Sequence, residues 1–113
     1  MTRIGLACLV LAALALGGPA AATTIADIVA HPETYSGQQV TVVGTVADPK
    51  AAYAGETVYT LSSGDRRITV FGRGATPAAG DQVQVSAKVG WREGDEEFTW
   101  PPVLFETARQ PAP

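Results

Sequence analysis

In two stretches of this 113-residue chain, apolar side chains recur at every second position. Val40, Val42 and Val46 share one side of an extended segment that starts at Gln39, with Gly44 in line between them. Val83, Val85, Ala87 and Val89 repeat the pattern from Gln82 to Gly90. A period of two belongs to a β-strand with one buried face. Shorter runs add a second strand over residues 57–61, with Tyr59 and Leu61 on one side, and a third over 67–71, with Ile68 and Val70 inward. A fifth strand is expected over 103–107. Asp48-Pro49-Lys50 ends the first strand, Ser63-Gly64-Asp65 is a hairpin turn, and Gly72, Gly74, Pro77 and Gly80 bracket a loop.

An open sheet of five short strands would expose an apolar face and two unpaired edges. Closing it buries the alternating valines and removes most of the edge, and Gly44 sits where a barrel strand must bend sharply. A sandwich needs about seven strands, for which the chain has no room. The expected fold is therefore all-β, a small five-stranded closed barrel. Ahead of it, Ile25, Ile28 and Val29 form the apolar stripe of a short helix, with Thr24 placed to cap it and Pro32 to stop it.

The chain opens with Arg3, an apolar run from Ile4 to Leu16, the breakers Gly17, Gly18 and Pro19, and small residues at Ala20 and Ala22. This is the layout of a secretory signal peptide cut between Ala22 and Thr23, and the run falls short of the ~20 residues of a spanning helix. Residues 1–22 are expected to leave, residues 23–108 to form the barrel and residues 109–113 to be a disordered tail. The single cysteine, Cys8, lies inside the apolar run rather than at its end, so a lipid anchor there does not fit. Losing Arg3 leaves seven basic residues against 11 acidic ones and no cysteine. The expectation is a periplasmic or secreted protein with no membrane span in its exported form and no thiol chemistry.

Several fragments resemble exported bacterial OB-fold proteins. These are Ile25-x-x-Ile28, Tyr35-x-Gly37, Val40-x-Val42-x-Gly44-x-Val46 and Gly80-Asp81-x-Val83-x-Val85, and the likeness extends roughly from Ile25 to Thr107. Ala87 departs from it where a second Val-x-Gly would stand. The resemblance implies an OB-fold barrel and a binding role, and carries across no catalytic residue.

Within such a barrel, aromatics and arginines on the second and third strands are the groups that stack bases and hold phosphates. Tyr59, Arg67, Phe71 and Arg73 answer that description, with Arg66 beside them. Against it stand the acidic balance and the run Glu93, Asp95, Glu96, Glu97 in the loop that flanks the same face, which repel a phosphate backbone. That run does not match a calcium-loop pattern and reads as a solvated turn. Trp91, Phe98 and Trp100 cluster around it, as part of the core or as contact residues. His31 and Tyr35 repeat a His-x-x-x-Tyr spacing used near the C-terminal end of the OB-fold haem chaperone of cytochrome c maturation. Here it precedes the first strand and has no second histidine or cysteine beside it. With one histidine and no exported cysteine, a hydrolase triad is not available. The reading that follows is a non-enzymatic envelope binding module without a cofactor. Its ligand, a protein partner or a small molecule, would sit on the face of the second and third strands or at the Trp91/Trp100 end. Single-stranded nucleic acid or an oligosaccharide on that face is the alternative, and a haem- or metal-binding role at His31 a lesser one.

Overall fold

A computed structural model of the chain describes residues 21–94 and 100–113. In chain order its elements are β1 (Ala21–Ala22), α1 (Ile25–Ala30), α2 (Pro32–Tyr35), β2 (Gln39–Ala51), a 3-10 turn (Tyr53–Gly55), β3 (Glu56–Ser63), β4 (Arg66–Arg73), β5 (Gln82–Gly90) and β6 (Val103–Pro111). The strands pair in the order β1-β2-β3-β4-β6-β5, and β2 pairs again with β5. β2 to β6 thus form the closed five-stranded barrel that the alternation predicts, and β1 is a two-residue parallel addition to β2 at Val40 and Thr41. Residues 1–20, and so nearly all of the expected leader, lie outside the described residues.

Closure depends on β2 serving two neighbours. Its first half, Gln39 to Thr45, pairs with β5, and its second half, Thr45 to Ala51, with β3. Gly44 lies at the changeover, where a Cβ would stand 2.7 Å from the Ser62 carbonyl oxygen and 2.8 Å from Leu61 Cγ. The strand can turn there because nothing projects inward. Asp48-Pro49 does not end the strand as expected. It forms a bulge, with Asp48 at φ 49° and the register shifting between Ala47 and Lys50, after which pairing resumes.

The barrel interior is filled by the alternating residues Val40, Val42, Val46, Leu61, Val70, Val85, Val89 and Leu104, each at most 2% exposed. α1 packs on β4 and β3 and buries Ile25 and Ile28. Its cap is the expected one, since Thr24 Oγ1 accepts from the Asp27 backbone N–H at 3.1 Å. Pro32 ends α1 but also opens α2, because a proline at the first helical position surrenders no hydrogen bond.

β5 spans the residues expected of it, whereas β6 runs well past the expected end at Thr107 and reaches Pro111. Residues 109–111 are therefore strand rather than frayed tail. Arg109 stands opposite Val85 and Pro111 opposite Val83. The register of this pair shifts between Ser86 and Ala87, leaving Thr107 as an extra residue on β6. Glu106 then faces Ala87 and Arg109 faces Val85, so two charged residues three apart point into the barrel.

Candidate binding face

On β4, inward Ile68, Val70 and Gly72 alternate with outward Arg67, Phe71 and Arg73. β6 runs parallel to β4 over three residue pairs and sets Phe105 beside Phe71. Across the sheet one outward row reads Val58, Phe71, Phe105, Lys88. The two rings stack with centroids 5.9 Å apart and planes 25° from parallel. They remain 40% and 49% exposed, so the barrel core does not require them. Phe105 reaches across Gly90, where a Cβ would collide with its ring.

Past Gly90 the aromatic strip continues. The Trp91 indole N–H donates to the Trp100 carbonyl at 2.9 Å, and the Ser36 hydroxyl donates to the Trp91 carbonyl at 3.1 Å. Trp91 is half-buried and acts as an anchor, while Trp100 is 39% exposed under the Arg92 guanidinium, 4.3 Å from its ring centroid. Gly90, Trp91, Trp100 and Phe105 line a shallow hollow of about 320 Å³. Phe98 and the acids Asp95, Glu96 and Glu97 lie outside the described residues, and Glu93 is exposed.

The structure brings four of the six expected binding residues to this strip or its rim. Phe71 and Trp100 are exposed on it, Trp91 supports it, and Arg73 stands at its edge, 3.8 Å from Glu56. Arg67 is exposed on the outer side of β4 and borders a separate hollow between α1 and Pro101-Pro102. Tyr59 is a correction. It is 1% exposed, because its parity on β3 points it into the barrel, and its ring has no free face for a ligand.

Tyr59 instead belongs to a buried polar cluster. Its hydroxyl donates to Glu106 Oε1. Arg109 Nη1 donates to the same oxygen at 3.0 Å, and Arg109 Nη2 to the Ala75 carbonyl at 2.7 Å. The Arg109 guanidinium also lies 5.6 Å from the Tyr59 ring centroid. Burial, and then the bond to Glu106, push the Tyr59 phenol well above its usual range. For Arg109, burial opposes the charge, but the contacts with Tyr59 and Glu106 outweigh it and hold the guanidinium above its ordinary value. Sequence reasoning missed Glu106 and Arg109. The only signal was a charge at an inward position of the fifth strand, and the bulge that turns Arg109 inward leaves no mark in the alternation.

His31 is exposed between α1 and α2, 3.9 Å from Glu33, and among the described residues no three histidines, cysteines, aspartates or glutamates group around a metal-sized space. Among the same residues no helix is long and apolar enough to cross a membrane.

No protein-family model matches the chain. No curated protein matches it either. Solved structures do. An aspartyl-tRNA synthetase from Entamoeba histolytica aligns with 88% of the chain at TM-score 0.64 and 12% identity, over 24% of its own length. An asparaginyl-tRNA synthetase from Pyrococcus horikoshii aligns with 69% at TM-score 0.54 and 11% identity, over 20% of its length. An OBody bound to hen egg-white lysozyme aligns with 77% at TM-score 0.58 and 18% identity, over 90% of its length. The barrel is an OB-fold. At these identities the likeness establishes that fold alone, and the chain spans less than a quarter of each synthetase.

Proposed function

We propose that the protein is an exported, non-enzymatic OB-fold module that holds a ligand or partner of the cell envelope on the aromatic strip of β4, β6 and the β5–β6 loop. The observation that carries this is the Phe71–Phe105 pair: two stacked rings, both at least 40% exposed, on the outer face of a barrel whose core is already filled. Solvating such a pair is unfavourable, and exposed aromatic surface of this kind is what binding faces use. The same fold serves a protein contact in the lysozyme-bound OBody. Export rests on the leader pattern of residues 1–22. The absence of catalysis rests on the chain's single histidine, exposed beside Glu33, and on its lack of any cysteine after Cys8.

The test compares the immobilised protein with a Phe71→Ser/Phe105→Ser variant, each presented with envelope extract. The reading expects a molecule retained by the wild type and lost from the variant, with unchanged circular dichroism. Equal retention by both would remove the face from consideration. One observation favours a second reading, single-stranded nucleic acid: Arg73, Lys88 and Arg92 are exposed on or beside the strip. It expects oligothymidylate binding that weakens steeply with salt.

A further inference from the structure

We infer that the hollow between α1, the start of β4 and Pro101-Pro102 is a site for a small monocarboxylate with an apolar body, whose carboxylate Arg67 holds. The hollow measures about 290 Å³, which is room for one ring or a branched chain of similar size. It stands apart from the aromatic strip and is independent of the role proposed there. The fold creates it at a proline. β4 and β6 pair from Thr69/Val103 onward and not before, because Pro102 has no N–H to extend the ladder toward Arg67. α1, which packs on β4 and β3, closes the other side with Val29.

Its walls and its polar groups select that ligand. Val29, Pro101 and Pro102 supply apolar surface, and Val29 is packed against the core, so this wall is fixed. Thr60 and Thr69 stand directly opposite each other on β3 and β4, half-buried on the outer side of the sheet. Among the described residues neither hydroxyl has a hydrogen-bond partner in the protein. Arg67 is two residues from Thr69 and on the same side. Every other described arginine is engaged. Arg66 lies 3.7 Å from Asp65, Arg73 3.8 Å from Glu56 and Arg109 3.0 Å from Glu106, and Arg92 covers the Trp100 ring. Arg67 has neither a carboxylate nor a ring beside it among the same residues. A guanidinium with free donors next to two free hydroxyls matches the two oxygens of a carboxylate.

Charge and size separate this ligand from others. No aspartate or glutamate among the described residues lines the hollow, so a cation would meet Arg67 uncompensated. One arginine is too little for a polyanion, whose binding grows with the number of phosphates neutralised. Acetate or an inorganic anion would leave the apolar wall in water and gain only the small value of a surface charge pair. A carboxylate on a ring or a branched chain uses both halves of the site. Its body displaces water from Val29 and the prolines, and the drier surroundings strengthen its charge-assisted bonds to Arg67.

The experiment titrates the full chain with phenylacetate and with isovalerate and follows the amide shifts by NMR. A Kd of about 1 mM is expected for phenylacetate, as suits so small a ligand, with shifts at Thr60, Arg67, Ile68 and Thr69. Arg67→Gln is expected to weaken it about tenfold, Arg67→Lys, which keeps the charge but not the fork, about threefold, and Thr69→Val about threefold. Phenylacetamide and phenethylamine carry the same ring without the negative charge, and acetate carries the charge without the ring. Each is expected to bind at least about tenfold more weakly than phenylacetate. Val43→Thr, at an exposed site on β2, is expected to leave affinity unchanged. No shift with either acid up to about 20 mM overturns the assignment. So does equal binding of the amide, an affinity that Arg67→Gln leaves unchanged, or shifts confined to Gly90, Trp91 and Phe105 on the strip.

Discussion

Replacing Arg109 by methionine tests whether the end of β6 is a working part of the barrel. The side chain of Arg109 is 18% exposed and that of Glu106 is 7% exposed, and they meet at 3.0 Å. Methionine restores most of the apolar volume but leaves the Glu106 carboxylate, among the described residues, with the Tyr59 hydroxyl as its remaining donor, and it removes the Arg109 bond to the Ala75 carbonyl. Removing one member of a buried pair costs about 3–5 kcal/mol. The partial exposure of Arg109 places this case at the lower end, about 3 kcal/mol, which in a domain of this size lowers Tm by roughly 10–20 °C. The assay is urea denaturation followed by circular dichroism. Glu106→Leu/Arg109→Met serves as the double variant, because removing both charges leaves no carboxylate stranded and recovers part of the loss. A loss under about 1 kcal/mol for Arg109→Met, the value of a solvated surface pair, would refute the reasoning. So would additivity of the two single changes, which would show that the residues do not act together.

Two further outcomes follow from the barrel itself. Gly44→Ala puts a methyl group 2.7 Å from the Ser62 carbonyl and 2.8 Å from Leu61 Cγ, so the unfolding midpoint is expected to fall by the equivalent of about 1–3 kcal/mol, measured by the same denaturation. The Tyr59 phenol is raised above its ordinary 10.0, so the folded state keeps a proton that the unfolded chain releases. Its contribution is complete below pH 10.0 and declines as pH rises beyond it, at up to about 1.4 kcal/mol per pH unit, and Tyr59→Phe is expected to flatten that slope in alkaline denaturation curves.

Much of the architecture was legible before any coordinates. β5 could be read residue for residue because Val83, Val85, Ala87 and Val89 face one core without interruption. Phe71 and Trp100 stood among the candidate binding residues, with Trp100 left open between core and contact, and the structure leaves both rings exposed, Phe71 by its outward parity on β4. Tyr59 shows the limit of that reasoning. An aromatic with a polar tip suits a wet face and a dry interior equally well, and its parity with Leu61 was the better guide. Phe105, half of the stacked pair, drew no notice because its neighbour Phe71 lies on another strand, far away in the chain.

The sequence alone determined where the five barrel strands lie, though not where the first and the last of them end, together with the capped helix before them and the need for closure, because each follows from a local period or a residue's own backbone preference. Only the tertiary structure decided which faces meet. It paired β4 with β6 and so created both the ring stack and the hollow at Pro101-Pro102 where that pairing begins. It also placed the bulge at Thr107 that turns Arg109 onto Glu106 and Tyr59. Strand partners and bulges are set by how the whole barrel closes on its core, so no short window of residues records them.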